Sequence, residues 1–260
     1  GNRLEKSTPK EFNYITKSLV QFNSESAINR LIKQVNTISN KPLYIVVGHK
    51  YKEIIDDINK NSIYKMNIEF VVNKEFNNDS NLISLYLAIN KILNIGENLD
   101  EGILIIEADS VFDDSDLKNL KNYIKINHKE YSSKKLIYWT TKGLSKSNDK
   151  GGFIDTKIEN SYSKDGFISN VYISSSRNHQ NSLKMYGITW MNRNAIFNWF
   201  EKSLDIFKNK SKNSNKYFHE VIFENRKDFT MRYYDLGEKV LSFNNYDEYI
   251  SCLRLLSKNN

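Results

Sequence analysis

Apolar positions in the first half of the chain alternate between two rhythms. Residues 43–47 (LYIVV) are an unbroken apolar run ending at Gly48, which predicts a buried strand and then a turn. Ahead of it, Ala27, Ile28, Leu31, Ile32 and Val35 recur at helical spacing. Residues 51–59 suit a short helix and 67–72 (NIEFVV) a second strand. From Ser80 to Leu93, the residues Leu82, Leu85, Tyr86, Ile89 and Ile92 share one helical face behind a Ser80 N-cap. Residues 102–106 (GILII) form the most apolar strand, ending in Glu107-Ala108-Asp109, and 115–126 read as another helix. This βαβαβ alternation predicts an α/β, Rossmann-like fold with a mixed, mainly parallel sheet and helices on both faces.

The second half changes character. Residues 135–141, 153–158, 166–174 and 183–190 read as strands, some paired antiparallel, with helices near 193–208 and 215–226. The stretches 144–152 and 211–216 are polar and loop-like. The expectation is one domain over 1–260 whose C-terminal half covers the ligand edge of the sheet. A doubly wound sheet normally begins with a strand and a Gly-rich turn. This chain opens on Gly1-Asn2-Arg3-Leu4, so its first strand is expected to be missing from the sequence.

Composition narrows the classes. A single cysteine, Cys252, excludes a disulfide scaffold and any cysteine-based zinc site. No apolar run approaches the roughly 20 residues of a membrane span, and no signal segment opens the chain. The expectation is a cytoplasmic protein with neither a membrane nor a nucleic-acid partner. The net charge of +7 is spread along the chain, which is weak support for nucleic acid and suits phosphate-bearing small molecules.

Ligands of open α/β sheets bind beyond the carboxyl ends of the strands, and three candidate features fall there. Gly1-Asn2-Arg3, with Lys10 and Lys17 beyond it, could approach and neutralise phosphates. Asp109 follows the apolar strand directly, where a carboxylate can hold Mg²⁺; Glu107 lies two residues before it on the same face of a continued strand. Asn73 to Ala88 is an amide-rich loop leading into a helix, and amides can donate to and accept from a base edge. Further on, His219 and Glu220 sit on a helix, and Asn244 and Asn245 follow a strand-like run.

Taken together these pieces resemble the nucleotidyltransferases of the sugar-phosphate and phosphocholine cytidylyltransferase type. Gly1-Asn2-Arg3-Leu4 resembles the end of that family's G-x-G-x-R-hydrophobic signature. Thr16-Lys17-Ser18-Leu19-Val20 resembles its T-P-K-hydrophobic segment; Lys10, in Thr8-Pro9-Lys10, is a competing match. Val46-Val47-Gly48-His49-Lys50 is similar to its V-V-G-Y-K turn. Asn73 to Ala88 resembles the base-recognition segment of phosphocholine and aminoethylphosphonate cytidylyltransferases, and Ile106 to Ser110 their metal-binding aspartate strand. Asn244 stands where the family usually carries a second metal aspartate, which brings an oxygen ligand without charge.

The resemblance implies a GT-A-like nucleotidyltransferase fold, with residues 1–130 as the nucleotide-binding half and 131–260 as the acceptor-binding half. It implies Mg²⁺ as cofactor and CTP, or another NTP, as one substrate. The other would be a phosphorylated small molecule: phosphocholine, a phosphonate, a phosphorylated amino acid or amide, or a sugar phosphate. The setting would be decoration of bacterial surface polysaccharide, and a homodimer is left open. In this reading Lys17 and Arg3 neutralise the phosphates. Gly1, Asn2, Ser80, Asn81, Ser84 and Ala108 bind the nucleotide. Asp109 holds the metal, with Asn244 and Glu220 sharing the role. Trp139, Lys142, Tyr186, Trp190 and His219 form the acceptor pocket. A sugar-1-phosphate nucleotidyltransferase using another NTP and a non-catalytic nucleotide-binding domain are the alternatives.

Overall fold

The computed structural model describes residues 2–9, 16–61, 66–146, 149–156, 163–174, 182–208 and 216–258. The first element is a short helix, α1 (Asn2–Ser7), followed by a small antiparallel ladder of β1 (Gln21–Phe22) and β2 (Glu25–Ser26). Ser26 then caps α2 (Ala27–Ile38), its Oγ accepting from the Asn29 amide, which satisfies one of the free donors of a helix start. The apolar stripe of α2 has two halves. Ile28 and Ile32 pack on β3 (Leu43–Val47), while Leu31 and Ile38 pack on α5 (Asp114–Asn127). The crossover α3 (Tyr51–Lys60) leads from β3 to β4 (Ile68–Val72), which lies parallel to β3.

The other helix faces fill the opposite side. Leu82, Leu85, Ile89 and Ile92 of α4 (Leu82–Asn94) share a core with Trp199 of α6 (Arg193–Lys208) and with Val221 and Ile222 of α7 (Phe218–Glu224). This core lies against alternate residues of the main sheet, including Trp139, Met191 and Tyr233. The intervening residues Leu136, Tyr138, Tyr186, Ile188 and Trp190 face α2 and α5. The period-2 alternation of these strands therefore sorts their side chains between two helix layers. Helices on both faces are observed as expected.

The sheet itself corrects the expectation of a mainly parallel one. Its six strands run in the order β5 (Ile103–Ile106), β10 (Leu183–Met191), β7 (Leu136–Leu144), β11 (Thr230–Asp235), β9 (Asp165–Ser174), β8 (Gly151–Thr156). Among the described pairings only β7–β11 and β3–β4 are parallel. β5–β10, β10–β7, β11–β9 and β8–β9 are antiparallel. The start of β10 also pairs with β8, closing a ring through β7, β11 and β9. The cause is the second half of the chain, where hairpin-like returns replace helical crossovers. A third, two-pair ladder stands apart: β6 (Ser110–Val111) against β12 (Leu241–Ser242), followed by the terminal helix α8 (Tyr246–Lys258). No helix among the described residues is long and apolar enough to cross a membrane.

Candidate functional site

Asp109 sits in the turn that carries the chain from β5 into β6. Lys17 starts a 3₁₀ turn (Lys17–Leu19) that Leu19 anchors in the core. Asn244 follows β12 at the head of α8, its amide N–H donating to the Glu248 carboxylate at 2.5 Å. These three, distant in sequence, meet: Lys17 Nζ lies 2.5 Å from Asp109 Oδ2 and 3.1 Å from Asn244 Oδ1. The pair is only 22% and 14% exposed on its two side chains, so it is weakly screened by solvent. The Phe243 ring lies 5.4 Å beneath the ammonium. Two oxygens converging on one cationic point fit the preference of Mg²⁺ for oxygen ligands. Among the described residues no cluster of three or more His, Cys, Asp or Glu could hold a metal ion. Asp109 Oδ2 and Asn244 Oδ1 are the two side-chain oxygens that meet at Lys17 Nζ.

Glu107, at the end of β5, fills the next position along. Asn81 Nδ2 donates to its Oε1 at 3.2 Å. Gly187 makes room for it, since a Cβ there would meet Glu107 Cβ at 2.9 Å and Ser110 Oγ at 2.7 Å. Burial pushes the Glu107 carboxyl up, and the negative charge of Asp109 adds to this, against Lys17, Lys184 and the Asn81 bond; it reaches about 7. Asn81 itself has φ 154, a backbone strain of about 1–3 kcal/mol for a residue with a side chain. What holds it there is its amide: besides Glu107, its Oδ1 accepts from the Phe218 amide at 2.8 Å. Asn81 therefore ties three elements, α4, β5 and α7.

The loop before α4 is organised by a residue the sequence reading passed over. Asp79 accepts from the amides of Asn81, Ile83 and Ser84, from the Ser84 hydroxyl and from Asn73 Nδ2, all at 2.7–3.0 Å. The Asp-Ser-Asn sequence just ahead of the helix was its only signal, that of a cap. Ser84 is thereby engaged with Asp79 and Asn73. Ser80 lies in the same turn, and Ala108 is exposed between β5 and β6.

A second group lies beside Glu107. Lys184 Nζ donates to the Gly152 carbonyl at 3.1 Å and lies 4.9 Å from the centre of the Phe153 ring. Burial, and then the neighbouring Lys142 charge, push this ammonium down to about 8, opposed by Asp149 and Glu107. His219 packs against Trp139, Tyr217, Phe218 and Phe223. Burial and then the Lys184 charge push it down to about 4, so its imidazole is neutral near pH 7. Lys184 left no sequence signal, because a lysine in an otherwise apolar strand reads the same whether it meets water or a pocket.

Other expected site residues are placed differently. Tyr186 and Trp190 are 5% and 4% exposed and face the α2–α5 layer. Their polar atoms bind backbone carbonyls, Tyr186 those of Val111 and Leu241 and Trp190 that of Glu101. Both belong to the core, because strand alternation turns them away from the face that carries Trp139 and α7. Trp139 is on the opposite face, with α7, but only 1% exposed, and Phe218 is stacked on it at 6.1 Å, so its face is already covered. Glu220 accepts from the Tyr217 amide at 2.6 Å, closing a capping box at the start of α7. Its carboxylate serves the helix rather than the Asp109 cluster. Asn2 and Arg3 lie in α1, whose Leu4 packs with Val111 and Phe243, while Gly1 and Lys10 lie outside the described residues.

Known proteins resemble this chain at two levels. Along 138 residues the chain is 33% identical to a probable UDP-N-acetylglucosamine pyrophosphorylase of Acanthamoeba polyphaga mimivirus. That match takes in 53% of this chain and 47% of the relative, so it spans about half the relative's length. In structure, the CTP:phosphocholine cytidylyltransferase of Streptococcus pneumoniae superposes with a TM-score of 0.67 at 16% identity, over 98% of this chain and 93% of that one. A UDP-glucose pyrophosphorylase complexed with UDP-glucose gives a TM-score of 0.69 at 15% identity, over 95% and 92%. The fold is therefore a mixed α/β fold similar to that of the nucleotidyltransferases. The family model that matches residues 14–146 is described as Domain of unknown function (DUF6564), and the chain belongs to that family.

Proposed function

We propose that this protein is a nucleotidyltransferase that joins a nucleoside triphosphate, CTP in the first instance, to a phosphorylated small molecule. The observation that carries this reading is the meeting of Lys17, Asp109 and Asn244 at the carboxyl end of β5. In the reaction an acceptor phosphate oxygen attacks the α-phosphorus of the nucleotide, and the bond from that phosphorus to the bridging oxygen breaks. Pyrophosphate leaves with the electron pair. An acceptor phosphate that attacks as its dianion has no proton to lose, so positioning and charge neutralisation dominate.

Each residue then has a part to play. Lys17 neutralises charge on the phosphates, joined by Arg3. Asp109 and Asn244 would hold Mg²⁺, which when bound neutralises phosphate charge and fixes its geometry. Asn81 orients Glu107 and the start of α7, and Ser80 and Ser84, in the turn before α4 and in its first turn, would meet the base. Lys184, with Lys142 beside it, meets the acceptor phosphate, and the neutral His219 lines the same wall.

A second reading, a sugar-1-phosphate nucleotidyltransferase using UTP, is favoured by the 33% identity to the mimivirus relative. Pyrophosphate release separates the two. The protein is incubated with Mg²⁺, each of CTP, UTP, GTP, ATP and dTTP, and phosphocholine, aminoethylphosphonate, a phosphorylated amide or a sugar 1-phosphate. Release with CTP and a non-sugar acceptor supports the first reading. Release only with UTP and a sugar 1-phosphate replaces it with the second. Nucleotide binding without release from any pair overturns both in favour of a binding domain.

A further inference from the structure

We propose that Tyr186 is a positioning residue: its phenol is the brace that fixes the spacing between the Asp109 and Asn244 segments. The inference rests on the nucleotidyltransferase reading for its meaning, but not for its geometry. Asp109 and Asn244 flank the two strands of a ladder with only two residue pairs, Leu241 with Val111 and Ser242 with Ser110. One further backbone bond, Phe243 N–H to the Asp109 carbonyl, is long at 3.4 Å. A ribbon this short is marginal by itself in water. It is also separate from the six-stranded sheet, so its own backbone pairing does not tie it to the sheet.

Tyr186 supplies that tie. Its hydroxyl lies 3.0 Å from the Val111 carbonyl and 2.9 Å from the Leu241 carbonyl, one on each strand of the ribbon. The single phenolic proton is shared between two acceptors. Both are on the paired residues that precede Phe243 and follow Ser110, and so stand two positions from Asp109 and three from Asn244.

The backbone of β10 explains why the ring reaches them. Tyr186 pairs with Thr140, but the next pair is Thr189 with Trp139, so β10 carries extra residues at Gly187 and Ile188. Thr140 Oγ1 closes the bulge by donating to the Ile188 carbonyl at 2.8 Å. Bulges re-aim side chains and recur beside active sites. Here the bulge clears Gly187 for Glu107 and sends the neighbouring Tyr186 ring under the ribbon. The phenol is buried and its ionisation is pushed far up by that burial, so it stays a hydrogen-bond donor across the working pH range.

Tyr186→Phe keeps the ring and removes the brace. The expected result is hydrogen exchange about ten-fold faster in peptides covering 109–112 and 240–245, with β7 and α4 unchanged. Direct Mn²⁺ titration in the presence of nucleotide, followed by the loss of the free-ion resonance, should weaken by about ten-fold, as for a lost outer-shell contact. In turnover, kcat falls and the acceptor KM stays put. Unchanged exchange and unchanged Mn²⁺ affinity in a folded variant overturn the proposal and make Tyr186 a core filler. A raised acceptor KM with unchanged Mn²⁺ affinity overturns it in favour of an acceptor-pocket residue. If the variant does not fold, exchange in the unaltered protein decides. Protection of 110–111 and 241–243 comparable to the β7–β10 ladder supports the brace, and exchange at the rate of a frayed ribbon overturns it. Failure of the unaltered protein to release pyrophosphate sinks the enzymatic reading, while the exchange measurement still decides the brace.

Discussion

The two sides of the candidate site are built in opposite ways. The Lys17–Asp109–Asn244 corner is three polar side chains brought together from turns that adjoin short strands, the bonded partners standing 92 and 227 positions apart in sequence. The Lys184–His219 wall is a pair of titratable groups set among aromatic rings on regular elements, β10 and α7. The corner acts through full charges in near contact. The wall acts through burial, which pushes Lys184 and His219 down. Charge in contact is a matter of residue identity, so the corner left motifs. Burial belongs to the surroundings, and the wall left few.

Substitutions should separate these two logics, and the largest effect belongs to the corner. Asp109→Ala removes its one carboxylate, and turnover should fall by about a thousand-fold or more in a variant that still folds, with a lowered melting temperature because Lys17 loses its partner. Near-normal pyrophosphate release from this variant removes the metal assignment. Lys17→Ala should cost about a hundred- to a thousand-fold in kcat, whereas Lys10→Ala should cost little. The reverse ranking in parallel assays moves the phosphate-neutralising lysine to Lys10.

Asn81→Ala tests the link between the two sides. It strands the Phe218 amide and the Glu107 carboxylate, which should lower stability by about 1–3 kcal/mol in urea unfolding. Part of that loss should be offset in Asn81→Gly, because glycine tolerates the positive φ. A glycine variant less stable than the alanine one contradicts the strain argument.

The wall should respond to pH. Lys184 is charged below about 8 and neutral above it, so acceptor KM should rise as pH passes upward through that value. Lys184→Met should show a KM raised about ten-fold at pH 7 and flat across the same range. A KM profile that keeps its alkaline limb in the variant assigns that limb to another group. The smallest effect is expected for Asn244→Asp, which adds a second carboxylate to the corner. Divalent-ion affinity should tighten by a few-fold, read by Mn²⁺ titration, with stability almost unchanged. Weaker binding there means that Asn244 is not a ligand.

Many of the regular elements were legible. The strand at 43–47 and the helix at 193–208 lie where periodicity put them, because an apolar run and a 3.6-residue stripe are local properties. The helices at α3, α4 and α5 differ from expectation by a residue or two at their ends. Several elements were not expected, β11 and α8 among them. β11 (TMRYYD) and α8 mix polar and apolar residues, and their faces are defined by partners far away in the chain. The parallel character expected of the sheet failed for the same reason, since alternation shows that a strand exists but not which neighbour it takes.

For the site, Asp109 stood out as a carboxylate at the end of an apolar strand, while Lys17, Asn81 and Asn244 were brought forward by the resemblance to the nucleotidyltransferases. Tertiary structure decided the rest. It turned Tyr186 and Trp190 into the core, where a bulge and the period-2 pleat face them toward α2 and α5. It gave Glu220 to a helix cap and brought Lys184 beside Glu107. The physical reason is that a side chain's identity is local, whereas its burial, its field and the face it presents are set by packing against residues that the chain reaches only after folding.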